Sequence, residues 1–338
     1  MNIYQRSLII MFVTLLFCIQ VACSAVVIEP EPKGGDGYYW SGTGILTITG
    51  ASKEYTLSND ISSIWMVHVN AQEVTLDGND VPICFIRGQP TLDLVNVHID
   101  GGIYEILPLQ VGKLAKYDKL EGKREERGVY GITECRNIEN SSIVVKYFPA
   151  VPGNIFVSGI GRLYGTLGDS TSITVTGASV HSYIYGVRKV LNDGEISGGE
   201  FTITAVDEFA ITPVDEFGIS RDEVTVPAYT ASAYGIGALH DNSKVSGGKF
   251  TVTGAHAIGI LGVYGNSEVS GGTFTLTGDE TTDVGDVYGN GKVSGGQFTY
   301  RTPQLRPTSA PQPQSTSPIG DINCRFVTHN DSSITVEC

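Results

Sequence analysis

The chain is poor in charge and poor in cysteine, and each scarcity removes a class of answer. Charged residues are 17% of it, and 36 acidic against 22 basic side chains leave a net charge of −14. A surface of that sign repels nucleic acid and anionic lipid, so neither is an expected partner. The six cysteines include no Cys-x-x-Cys pair, and none stands at a zinc-ligand spacing from a histidine. No cofactor is expected. Beyond the N-terminus no apolar run is long enough to span a membrane. No apolar pattern of period 3.6 occurs in the repeated region, which excludes helical repeats. What the chain does have is glycine, 42 residues, and a hydrophobic fraction of 41% that is ample for a packed core.

The N-terminus reads MNIYQRSLIIMFVTLLFCIQVACSAVV. Arg6 supplies a positive start, Ser7 to Ile19 is almost wholly apolar, and Ala22, Ser24 and Ala25 are small. The pattern predicts a secretory signal peptide over residues 1–25, and hence a secreted or cell-surface protein. Two alternatives attach the protein to a membrane. One is an uncleaved signal anchor. The other is a lipidated Cys23 after Val21-Ala22, although Gln20 departs from the lipoprotein pattern. Export makes disulfides possible. Cys324 and Cys338 are expected to close a small C-terminal loop, and Cys84 and Cys135 are either a bridge or two buried thiols.

One phrase recurs. It stands as ISGGEFTIT at 196–204, VSGGKFTVT at 245–253, VSGGTFTLT at 269–277 and VSGGQFTY at 293–300. ISRDEVTVP at 219–227 reads as a worn copy, and TSITVTG at 171–177 and NSSIVVK at 140–146 as more diverged ones. The anchor residues Ile196, Ile219, Val245, Val269 and Val293 then follow at 23, 26, 24 and 24 residues. A period of this size implies a solenoid or an array. Within the unit, Phe250 and Val252 alternate with Thr251 and Thr253, which is strand periodicity. Ser-Gly-Gly and Gly-Asn-Ser punctuate the strands as turns. Each coil is expected to stack on the next at the ~4.8 Å strand spacing. Phe201, Phe250, Phe274 and Phe298 would then form an internal ladder, with the threonines outside.

This pattern resembles the right-handed parallel β-helix, or pectate-lyase-like, family of secreted and surface proteins. A weaker likeness lies in EYTLSNDISSIWMVHVNAQEVTLDGND at 54–80, where Tyr55, Leu57, Asp60, Ile61, Val74, Leu76, Asp77, Gly78 and Asn79 fall on the family's line. The usual continuation is replaced by Asp80-Val81-Pro82-Ile83. The resemblance implies an all-β fold, a right-handed parallel β-helix over residues 26–300 with coils of about 24 residues. Residues 108–128 are expected to form a solvated loop or short helix, and 205–217 a surface excursion. The Pro/Ser/Thr-rich stretch 301–320 reads as an extended linker, and 321–338 as a hairpin-like appendage or a truncated further module.

The resemblance also frames the search for chemistry. Lyases of the family place carboxylates on calcium with an arginine or lysine base, and hydrolases use paired aspartates. The hydrolase strings Asn-Thr-Asp, Asp-Asp, Gly-His-Gly and Arg-Ile-Lys are absent, as is the Gly-Gly-x-Gly-x-Asp calcium pattern. Asp77, Asp80, Asp93 and Asp100 remain, and Asp77 and Asp80 flank a turn that they are expected to cap. His68, His98, His181, His240 and His256 are scattered. Arg221, Asp222 and Glu223 read as a drifted turn. Asn140-Ser141-Ser142 and Asn330-Asp331-Ser332 are glycosylation sequons.

The expected binding residues are the outward threonines Thr202, Thr204, Thr251, Thr253, Thr275 and Thr277. Thr174 and Thr176 extend the file, and Pro227 and Arg301 are expected to break it. The function expected is that of an exported structural or adhesive surface protein without catalysis. Its partner would be an extracellular glycan or another surface or envelope component. A polysaccharide lyase or hydrolase, and an ice-binding protein using the Thr-x-Thr files, are the alternatives.

Overall fold

The computed structural model describes residues 25–30, 35–41, 44–108, 125–147, 156–177, 183–206, 208–211, 224–227, 232–301, 325–330 and 333–337. Among these residues there is no helix, and the strands wind into a parallel β-helix.

Three faces make up each full coil. The first carries the anchor residues on short strands. Its ten members run Val26–Ile28, Glu54–Leu57, Val74–Asp77, Leu92–Val95, Ile138–Glu139, Thr166–Leu167, Glu195–Ile196, Lys244–Val245, Glu268–Val269 and Lys292–Val293, each parallel to the next. The second, the threonine face, stacks His98–Asp100, Ser142–Tyr147, Ser172–Gly177, Glu200–Ala205, Lys249–Thr253, Thr273–Thr277 and Gln297–Arg301. The third, the long face, stacks Ile45–Ile48, Ile64–Val69, Pro82–Arg87, Glu125–Cys135, Phe156–Leu163, Tyr183–Val190, Ser232–Leu239, His256–Gly265 and Glu280–Gly289. The second and third faces diverge at Pro82–Arg87, where Ile83 pairs with Ile99 and Ile86 with Ile132. A step of 24 residues holds for Val245, Val269 and Val293, whereas Ile138, Leu167 and Ile196 advance by 29.

The alternation read from the sequence sets what lies inside. Phe201, Phe250, Phe274 and Phe298 stack with ring centroids 4.2, 4.4 and 4.8 Å apart and are at most 3% exposed. Each such contact adds about 0.5–1.5 kcal/mol beyond the area it buries. The Ser-Gly-Gly turn needs its two glycines for different reasons. The second adopts φ of +94° at Gly248 and +98° at Gly272, where an L side chain is strained. The first approaches the coil before it so closely that a Cβ on Gly271 would lie 2.1 Å from the Ser246 carbonyl oxygen. Outside the turns, amide side chains stitch coil to coil. Asn290 donates to Asn266, Asn266 to Asn242 and Asn242 to Asp193, at 2.9, 3.0 and 2.9 Å.

The worn copy at 219–227 is not a coil. Val224–Pro227 pairs antiparallel with Glu208–Ile211, and Ile196 pairs directly with Val245. Arg221-Asp222 stands there in place of Gly-Gly, so the segment lacks both residues that the turn requires, and it pairs locally instead. Cys84 and Cys135 are free thiols, so they form no bridge; Cys84 is half-buried and Cys135 buried. The stretch at 108–128 begins and ends in strand, with Ile103–Pro108 antiparallel to the start of Glu125–Cys135. Arg325–Asn330 and Ser333–Glu337 form the expected C-terminal hairpin, and it pairs antiparallel with Gln297–Arg301. Residues 1–24 of the expected signal peptide, residues 109–124, Arg221, Asp222 and Glu223, residues 302–320 of the expected linker, Cys324 and Cys338 lie outside the described residues.

Candidate functional site

The threonines form an unbroken array. Thr174, Thr202, Thr251, Thr275 and Thr299 stand in one file, and Thr176, Thr204, Thr253 and Thr277 in the next. The expected break at Pro227 does not occur, because that residue belongs to the excursion and Thr204 pairs with Thr253. Arg301 does end the second file, in register with Thr277. Neighbours are ~4.8 Å apart across coils and ~6.6 Å apart along a strand. Thr202 is exposed and the others are half-buried. The adjoining file carries an exposed pair, Lys249 to Glu200 at 3.5 Å, which is worth little to stability.

The acidic candidates are occupied with structure. Asp77 accepts from the Asn79 amide at 3.0 Å and from the Asn96 side chain at 3.1 Å, capping the expected turn. Asp93 is held by Arg136 at 2.8 and 2.5 Å, and the same guanidinium reaches Glu73 at 2.8 Å, tying neighbouring coils together. Asp80 sits in the turn at φ +56°, and Asp100 ends a strand on the threonine face. His256 pairs with Glu280 at 2.8 Å. Among the described residues no three His, Cys, Asp or Glu side chains converge to hold a metal.

A second surface emerges only from the register. From Asp100 onward the long insertions leave the solenoid at the corner between the threonine face and the long face: after Asp100, after Tyr147, after Gly177 and after Val206. In the last two coils the same corner is two residues, Gly254-Ala255 and Gly278-Asp279. Two of the insertions contain antiparallel strand pairs, at 103–130 and 208–227. Their long-face strands, Glu125–Cys135 and Ser232–Leu239, are three steps apart, or ~14 Å. The two coils between them place Phe156 and Tyr183 at the corner, in register.

Those two rings belong to an aromatic cluster outside the main core. Phe156 and Tyr183 have centroids 5.7 Å apart, Tyr183 and Tyr234 6.1 Å, and Tyr185 and Tyr234 stack at 4.8 Å. Tyr185 and Tyr234 are each 5% exposed and form the bed, whereas Tyr183 is 39% exposed. Burial pushes both bed hydroxyls above the usual tyrosine range, so they stay protonated. The Arg188 guanidinium lies 4.1 Å over the Phe156 ring and fixes it by cation–π attraction. Further along the same strands Arg162 pairs with Glu134 at 2.5 Å while only 3% exposed, and the Ser158 hydroxyl is buried without a hydrogen-bond partner. The arrangement offers an exposed, braced ring to a ligand at this corner.

Sequence reading missed this cluster. Phe156, Tyr183 and Ser232 share a column only at steps of 27 and 49 residues. Insertions of unequal length hide that spacing. No family model, no curated protein and no solved structure matches the chain.

Proposed function

We propose that this chain is an exported surface protein of adhesive or structural type, whose β-helix binds a glycan at the aromatic corner and catalyses nothing. The observation that carries the reading is the exposed Tyr183, braced by Phe156 and Tyr234 at the corner where the long insertions leave the solenoid. Binding loops set on a rigid scaffold are a common way to build recognition, and an aromatic wall with few polar groups suits a small or linear ligand. The likeness of the first coils to pectate-lyase-like proteins supports a polysaccharide as the ligand class, and the N-terminal sequence supports export. A glycan-array screen tests it. Binding to at least one polysaccharide is expected, weakened tenfold or more in Tyr183→Ala. No binding, or binding unchanged by the substitution, overturns the proposal. Release of product from pectin, alginate or chitin, with or without calcium, would overturn the non-catalytic part.

A second reading rests on the threonine array, whose nine residues run over five coils without a gap. A regular lattice of threonine side chains suits a crystalline surface such as ice. Thermal hysteresis that disappears in Thr251→Tyr, with glycan binding intact, would select this reading.

A further inference from the structure

One column on the inward side of the long face is glycine in five successive coils: Gly131, Gly159, Gly186, Gly235 and Gly259. A Cβ on any of them would meet the carbonyl oxygen of the column's next member, at 3.0, 3.0, 2.8, 2.6 and 2.6 Å in that order. The approach tightens along the column, so that in the last three of these coils a side chain there would force the next coil to shift. The sixth member of the column is Asp283. It ends the series: among the described residues no strand pairs with the far edge of Glu280–Gly289.

A second column changes at the same level. Val145, Val175, Ile203, Val252 and Leu276 face the core in register, and Tyr300 follows them. Its hydroxyl donates to Asp283 Oδ1, and Asp283 is only 7% exposed. Polar atoms therefore replace apolar ones where a further coil would lay down its own core residues, and covering them would cost their desolvation. Asp279, Glu280 and Asp286 stand exposed beside the edge.

We propose that Asp283, supported by Tyr300, is a built-in stop: it fills the place of the next coil's carbonyl and so keeps the edge of Glu280–Gly289 from pairing with a strand of a second copy of this chain. An open edge of a regular sheet is a template for self-association, and an inward-pointing charge is one way to blunt it. Here the device is steric first, since a bare Cβ at this position is enough to clash.

The test compares two substitutions that both abolish the Tyr300 hydrogen bond. Asp283→Gly extends the glycine column, whereas Asp283→Ala keeps the Cβ. Mass is measured on the full chain by light scattering after gel filtration, over about a hundredfold range of concentration, with strand content followed by circular dichroism. Wild type and Asp283→Ala are expected to keep the monomer mass. Asp283→Gly is expected to rise to about twice that mass or more as concentration increases. A monomeric Asp283→Gly overturns the proposal, as does association of the wild type or of Asp283→Ala to the same extent. Loss of the strand spectrum in Asp283→Gly alone also overturns it, because the side chain would then serve folding rather than separation.

Discussion

Asp283 is a carboxyl whose ionisation the fold resists. Burial raises its pKa above the usual aspartate value, and the hydrogen bond from Tyr300 only partly offsets this. The folded state therefore holds the proton more tightly than the unfolded chain. The stability linked to this group is fully present below the unfolded pKa of ~3.9 and is lost as pH rises through the raised folded value. Asp283→Asn should remove that dependence. In urea titrations the variant is expected to gain on the wild type from mildly acidic to neutral pH, and an equal offset at every pH would show that Asp283 titrates normally. The inner and outer faces differ in the same local way. Phe274 is fully buried between Phe250 and Phe298, so Phe274→Ala should cost about 3–5 kcal/mol. Thr275, its outward neighbour, should cost under about 1 kcal/mol as Thr275→Ala. Similar losses from both would mean that the strand faces the other way.

At the scale of the element, the Ser-Gly-Gly turn does most to specify a coil, and it was also the most legible feature. Its two glycines are fixed by backbone geometry alone, so they recur unchanged wherever a coil has this corner. Substitutions in the coil of Thr273–Thr277 separate the two reasons from general flexibility. Gly271→Ala would push a methyl group into the Ser246 carbonyl, and Gly272→Ala would hold alanine at φ +98°; each should cost about 1–3 kcal/mol in a denaturant titration. Gly168, with nothing within 4 Å of a built Cβ, is the control, and Gly168→Ala should be neutral or stabilising by up to ~1 kcal/mol. The same logic explains where the sequence misled. ISRDEVTVP keeps the alternation of the repeat without its glycines. Alternation is satisfied equally by a coil strand and by a local pair, and only the turn decides between them. The inward phenylalanines and outward threonines were readable because period-two patterning survives any change of partner. The aromatic corner was not, because a column across coils depends on the lengths of the insertions between them.

For the whole molecule, the consequence is a division of labour between a solenoid that propagates and a corner that varies. Stacking continues across the largest excursion as though it were absent: Phe201 meets Phe250 at 4.2 Å, and Thr202, Ile203 and Thr204 pair with Thr251, Val252 and Thr253. In a solenoid, stability is close to a sum of coil and interface contributions, and Glu208–Ile211 with Val224–Pro227 forms a separate two-stranded sheet outside this interface. The next coil passes the same corner from Thr253 to His256 through Gly254-Ala255, and Ser232 is the register partner of His256. Joining Thr204 to Ser232 through Gly-Ala should therefore close the coil at its natural length. The expected product unfolds in one cooperative transition, with stability within about 2 kcal/mol of the parent, because loop-closure entropy changes slowly with length. Its circular dichroism should keep the strand signature. Glycan binding should fall, since an insertion that leaves the solenoid at the corner carrying Tyr183 is gone. Loss of the cooperative transition would show that the excursion is part of the core, and undiminished binding would place the ligand elsewhere, the threonine face being the next surface to test.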